Sequence, residues 1–152
     1  MARVVAGAGR SAAALHEAAH SLARQELVGD LMKVWVNDKG GGKSEHPPID
    51  IGTLSGQQLA DLAVIIFAGV HGERELVPKH ALTEQIIALD YQQARQVQKY
   101  GEFSDEKMEE LKQIAREFVL AHEKKIRAVA KELNLRGRLR GEQVNKIAAR
   151  AQ

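Results

Sequence analysis

Residues 59–70 read LADLAVIIFAGV, an apolar run interrupted only by Asp61. A stretch apolar on every side predicts a helix buried all round, and Ser55 followed three residues later by Gln58 is a capping-box pattern that opens it. This central helix is expected over about 56–76, with Pro78 as its stop. Upstream, SAAALHEAAHSLARQ predicts a first helix over about 12–27, with Ser11 as N-cap and Gly29 as terminator. Downstream, Thr83 is placed to cap a third helix that runs through EQIIALDYQQARQVQKY to Gly101. Ser104 then opens a long charged helix to about residue 134, whose Leu111, Ile114, Phe118, Ile126, Val129 and Leu133 share one face. A short helix is expected after Gly141.

The period changes between the first two helices. MKVWV alternates and is rich in β-branched and aromatic residues, which predicts a short strand over 32–36. The glycines at 40–42 and the Pro47-Pro48 pair predict a mobile loop without regular structure, followed by a second strand at 49–51. The expected fold is therefore mainly α, of the α+β kind, with a small β element inserted after the first helix. No internal repeat is visible, and 152 residues suit a single domain over 1–152.

Composition narrows the function classes. The net charge of +2 is too near neutral for a phosphate-neutralising face, so nucleic acid is not an expected partner. The basic excess is local, in LRGRLRGEQVNKIAAR, and reads either as a solvated terminal segment or as a contact for an acidic partner. With no cysteine, any metal must be held by His, Asp or Glu. The apolar run is shorter than the ~20 residues that span a bilayer, and MARVVAGAGR lacks the apolar core of a signal peptide. The expectation is a soluble, cytoplasmic chain that does not itself span a membrane.

The chemistry concentrates in HEAAH. On a helix, residues four apart lie one turn above each other, so His16 and His20 can aim at one divalent ion. Glu17, beside the first histidine, is close enough to take a proton from an activated water without being a ligand. The bland reading is a pair of surface histidines on an alanine-rich helix. A third ligand must come from elsewhere. Asp90 falls inside the apolar stripe of Ile86, Ile87, Ala94 and Val97, and a carboxylate there is either a metal ligand or the partner of a cap or a buried arginine. His71 and Glu73 are candidates to orient a ligand imidazole, with packing and a solvated carboxylate as their alternatives. His122 reads as a hydrogen-bonded core histidine, and His46 and His80 as exposed.

The order of these elements over 13–147 resembles the peptidase domain of the FtsH-type, membrane-bound AAA metalloproteases. Those domains open with an HEAGH-type helix, here HEAAH, and continue with a strand similar to KVWV and a glycine-containing loop. Their next helix ends in a pattern like V-L-L-A-G-R-A-A-E, which IIFAGVHGE resembles. Their third zinc ligand is an aspartate in a context like N-D-I-x-x-A-T, and LDYQQAR puts Asp90 at that station. The closing helices and the G-E-x-hydrophobic turn are also similar. The chain departs from the family in Ala19 for glycine before the second histidine, in Val70 for the usual arginine, and in Leu89 for the polar neighbour of the aspartate. No G-x-x-x-x-G-K-[ST] sequence is present.

The resemblance implies a zinc metalloendopeptidase with His16, His20 and Asp90 as ligands and Glu17 as general base, acting without ATP on unfolded or extended polypeptide. Expected partners are the polypeptide substrate and either a second copy of the chain or a separate ATPase or adaptor. Strand 32–36 is expected to hold the peptide by edge pairing, with Trp35 as subsite wall or core. The alternative is a catalytically weak or inactive peptidase-fold module with an interaction or regulatory role.

Overall fold

The structure, a computed structural model, describes residues 2–77 and 84–151. Six helices and three short strands follow the order α1 (Ala2–Leu27), β1 (Lys33–Val36), β2 (Gly42–Glu45), α2 (Gly56–Leu76), α3 (Glu84–Gly101), α4 (Asp105–Ala121), α5 (Glu123–Arg136), β3 (Arg138–Arg140) and α6 (Gly141–Arg150). The chain is mainly helical with one small antiparallel sheet, as its patterning predicts. Pro78, His80 and Thr83 lie outside the described residues.

Helix α2 is the central element, with thirteen of its 21 residues buried. Its capping box forms as expected, the Ser55 hydroxyl accepting from the Gln58 amide and the Gln58 side chain accepting from the Ser55 amide. One side of α2, through Ile65 and Ala68, joins a core built from Ala18, Leu22, Val34, Ile126, Leu133 and Leu139. Its other side, through Val64 and Phe67, joins Ala94, Val97, Leu111 and Ala115 of α3 and α4. Both faces are thus used, which is why its sequence is apolar all round.

Helix α1 starts well before Ser11, which is an exposed position inside the helix rather than its cap. Arg10 ties this part of α1 down, donating to the Asn134 carbonyl at 2.6 Å from Nη2 and to Asp38 at 2.6 Å from Nη1. Gly29 ends the helix as expected. At φ +84° it takes the left-handed conformation, and its amide returns to the Arg24 carbonyl at 2.8 Å.

The sheet differs from the expectation in three ways. The glycine stretch is an ordered hairpin: Asn37 Oδ1 accepts from the amides of Lys39 and Gly41 at 2.9 Å, Gly40 takes φ +81°, and Gly42 already belongs to β2. Residues 49–51 form no strand. Asp50 instead caps a 3-10 turn, Ile51–Thr53. The third strand comes from the basic segment near the C-terminus, with Leu139 opposite Val34 and Arg138 opposite Trp35. That segment is therefore structural, not a solvated tail.

With the order β2-β1-β3, β1 is the central strand and both of its edges are occupied. An added peptide cannot pair with it. Trp35 is half-buried on the outer face between Lys43 and Arg138, so it is neither core nor part of the metal cavity described below. The long charged helix is also two helices, broken at His122 (φ −109°, ψ +20°). There the His122 ring stacks on Phe118 at 4.1 Å and its Nδ1 donates to the Phe118 carbonyl. Ile114, expected on the buried face, is 44% exposed.

Candidate metal centre

Alanines let α1 lie close against α2, and two glycines of α2 complete the fit. A β-carbon on Gly69 would overlap the His20 imidazole, and one on Gly72 would come within 2.7 Å of the Ala19 β-carbon. Helix α2 thus leaves space at position 69 for a ring that would otherwise have to turn away. Against this support His16 is almost fully buried and His20 is partly buried, with their rings 4.5 Å apart and nearly perpendicular.

Each imidazole has its outer nitrogen engaged. His20 Nδ1 lies 2.7 Å from the Ile65 carbonyl, an acceptor only, so Nδ1 carries the hydrogen and donates it. His16 Nδ1 lies in ion-pair contact with the buried Glu73 carboxylate, which favours a hydrogen on that nitrogen without forming a well-aligned hydrogen bond. With neutral rings, both Nε2 atoms then present lone pairs inward, 2.9 Å apart. Asp90, carried by α3, places its Oδ2 2.8 Å from His16 Nε2 and 3.3 Å from His20 Nε2. This oxygen is buried and has no hydrogen bond of acceptable geometry.

With the hydrogens on both Nδ1 atoms, three acceptor atoms face one another, an arrangement that repels unless a cation occupies it. Either a proton or a metal ion can do so. Two imidazole nitrogens and one carboxylate oxygen form the donor set of a three-ligand zinc site. Tetrahedral ligands at about 2.1 Å from one ion stand roughly 3.4 Å apart; the three atoms here are 2.8, 2.9 and 3.3 Å apart, so a bound ion would spread two of the pairs by about half an ångström. His16, His20 and Asp90 can hold a metal ion.

The protonation pattern has the same origin. Burial by itself would lower the His16 pKa, but its close contacts with the Asp90 and Glu73 carboxylates and the charges of Asp90 and Glu17 outweigh it and raise it to about 10. At Asp90 burial would raise the pKa, yet the neighbouring His20 and His16 hold the carboxyl well below the usual range. Burial raises Glu17, with Asp90 and Glu73 adding to the effect and the two histidines opposing it. A carboxylate raised in this way is better matched to accepting a proton near neutral pH.

A cavity of about 540 Å³ opens onto the cluster, with Glu17, His16, His20 and Asp90 in its wall. Gly42 of β2 closes against Glu17. A β-carbon at position 42 would lie 2.8 Å from Glu17 Cγ and 2.8 Å from the Trp35 carbonyl oxygen. Leu62, Ile65, Ile66 and Leu89 give part of the cavity an apolar lining.

Among the other candidates, Glu73 reaches His16 and His71 lies elsewhere. His71 is half-buried in a separate cavity of about 260 Å³ with Phe67, Arg74, Tyr91 and Lys112, where burial and the neighbouring Arg74 lower its pKa. It does not line the cavity that holds His16, His20 and Asp90. His46, expected to be exposed, is half-buried and lines the metal cavity. Gly42, Gly69 and Arg24 are the residues that motif reasoning passes over. Arg24 had a readable signal, since it continues the spacing of His16 and His20 by one more turn. The chain matches no protein-family model, and no curated protein is similar enough to count as a relative.

Proposed function

We propose that the chain is a zinc-dependent metalloendopeptidase that hydrolyses unfolded or extended polypeptide, and that its domain is of the FtsH peptidase type. The observation that carries this reading is the convergence of His16 Nε2, His20 Nε2 and Asp90 Oδ2 beside a buried carboxylate, Glu17, in one open cavity.

Zinc bound there supplies Lewis-acid activation of water and of a peptide carbonyl. The chain's own groups do the rest. Glu73 and the Ile65 carbonyl keep hydrogens on the two Nδ1 atoms and hold the Nε2 lone pairs inward. Glu17 accepts a proton from the attacking water and returns it to the amine nitrogen as the C–N bond breaks. The hydroxyl of the water stays on the carbonyl carbon and the proton leaves with the amine, so the atoms balance. Among the described residues the outer edge of β2 is unpaired, and its Gly42, Lys43 and Ser44 line the same cavity. That edge, rather than β1, suits an extended peptide.

Casein hydrolysis by the zinc-loaded chain and by Glu17→Gln tests the proposal. Loss of a general base predicts a fall of about 10²–10⁴-fold in turnover, and equal turnover overturns the mechanism. Elemental analysis of both proteins and of His20→Ala separates loss of chemistry from loss of metal. Zinc retained by an inactive native chain would instead favour an interaction module on the same fold.

A further inference from the structure

We infer that the metal cavity selects substrates with an acidic side chain within two residues of the cleaved bond, and that Arg24 is the residue that reads it; this deepens the peptidase reading and rests on it. Arg24 lies on α1 one turn beyond His20, is 4% exposed and lines the same cavity as the metal cluster. A guanidinium is rarely removed from water unless its donors are engaged. Here Nη1 donates to Asp30 Oδ1 at 3.0 Å, among the described residues the hydrogen bond this side chain makes, and a five-donor fork retains N–H groups for a second carboxylate.

The surroundings point the same way. The carboxylates that line the cavity among the described residues, Glu17 and Asp90, belong to the metal centre. Beyond it, the wall made by α1 and β2 carries Arg24 and Lys43, whereas α2 contributes apolar Leu62 and Ile66. Asp30 offsets part of the Arg24 charge from outside this lining, but the wall itself presents the unused Arg24 donors and Lys43 with no carboxylate beside them, and charge complementarity favours an acidic side chain over a neutral or basic one.

The spacing converts this into a position. Four residues of α-helix advance about 6 Å, and two residues of extended chain advance about 6.6 Å. A peptide laid parallel to α1 with its scissile carbonyl over the cluster would bring a side chain two residues away to the level of Arg24.

The test uses zinc-loaded protein and dephosphorylated β-casein, with all cleavage sites mapped by mass spectrometry. The native chain is expected to show Asp or Glu within two residues of the cut at several times their frequency in the substrate. Arg24→Glu should invert that preference toward Lys and Arg, a change that a purely structural role for Arg24 does not produce. Because Arg24 is buried, the exposed Lys43→Glu variant provides an independent check, with a smaller loss of the acidic preference. Cleavage unbiased in the native chain, or bias unchanged in both variants, overturns the selectivity and leaves the peptidase reading standing. Absence of any cleavage overturns both.

Discussion

The Glu73 carboxylate meets Nδ1 of His16 with both side chains almost wholly out of water. Burying a carboxylate is costly unless it is paired, and this one pairs with the His16 imidazole from the neighbouring helix. It fixes the tautomer that leaves Nε2 free for an ion. Glu73→Gln keeps the shape but removes the charge, so zinc affinity should fall about 10–100-fold with the fold retained. Competition with a chromogenic chelator measures it. Unchanged affinity would show that the contact does not tune the ligand.

A proton and a bound metal ion would compete for the same three acceptors. In the metal-free protein His16 is raised from its ordinary 6.5 to about 10, so it carries the cation that the cluster requires. A raised histidine stabilises the fold fully below its unfolded pKa, and that contribution is lost as pH rises through the folded value. The metal-free unfolding midpoint should therefore fall between pH 6.5 and 10, and the zinc-loaded protein should lack this loss. Zinc uptake at pH 8 should also release protons, read from calorimetry in buffers of different ionisation heat. A buffer-independent heat would contradict the protonated state of His16.

Gly69 tests the site through shape alone. A methyl at position 69 would overlap the His20 ring, whereas one at Gly56, at the start of α2, meets nothing within 4 Å. Gly69→Ala should reduce bound zinc severely and cost about 1–3 kcal/mol from overpacking, with helical circular dichroism preserved. Gly56→Ala should leave zinc content unchanged. Equal zinc in both variants would mean that the ring has room elsewhere.

Much of this site is legible in the sequence because it depends on helical period. His16 and His20 are four apart, and Asp90 interrupts the apolar spacing of Ile87, Ala94 and Val97. Helix α2 shows where such reasoning stops. His71 and Glu73 are two residues apart, about 200° around the helix, so they cannot both face α1. An apolar sequence on all sides does not say which one does, and only packing against α1 assigns Glu73 to the ligand and His71 to the opposite cavity. The sheet was less legible still. β2 reads GKSE and β3 reads RLR, without β-branched residues, and their pairing with β1 depends on contacts distant in sequence. The break at His122 is likewise silent, since the charge pattern on either side suits helix equally well.

Ala19 and Gly72 share a single methyl across the α1–α2 contact. A β-carbon on Gly72 would lie 2.7 Å from that of Ala19 and 3.2 Å from the Leu15 carbonyl oxygen, so one side of the contact must remain bare. Gly72→Ala alone should destabilise the metal-free chain by about 1–3 kcal/mol. Ala19→Gly alone should cost about 1 kcal/mol through helix propensity. Together they move the methyl to the other helix, and the double variant should be more stable than the sum of the single effects requires. The rescue should be partial, because the Leu15 carbonyl stays in place. Urea unfolding of the four proteins gives the coupling, and strictly additive effects would show that the two positions do not compete for the same space.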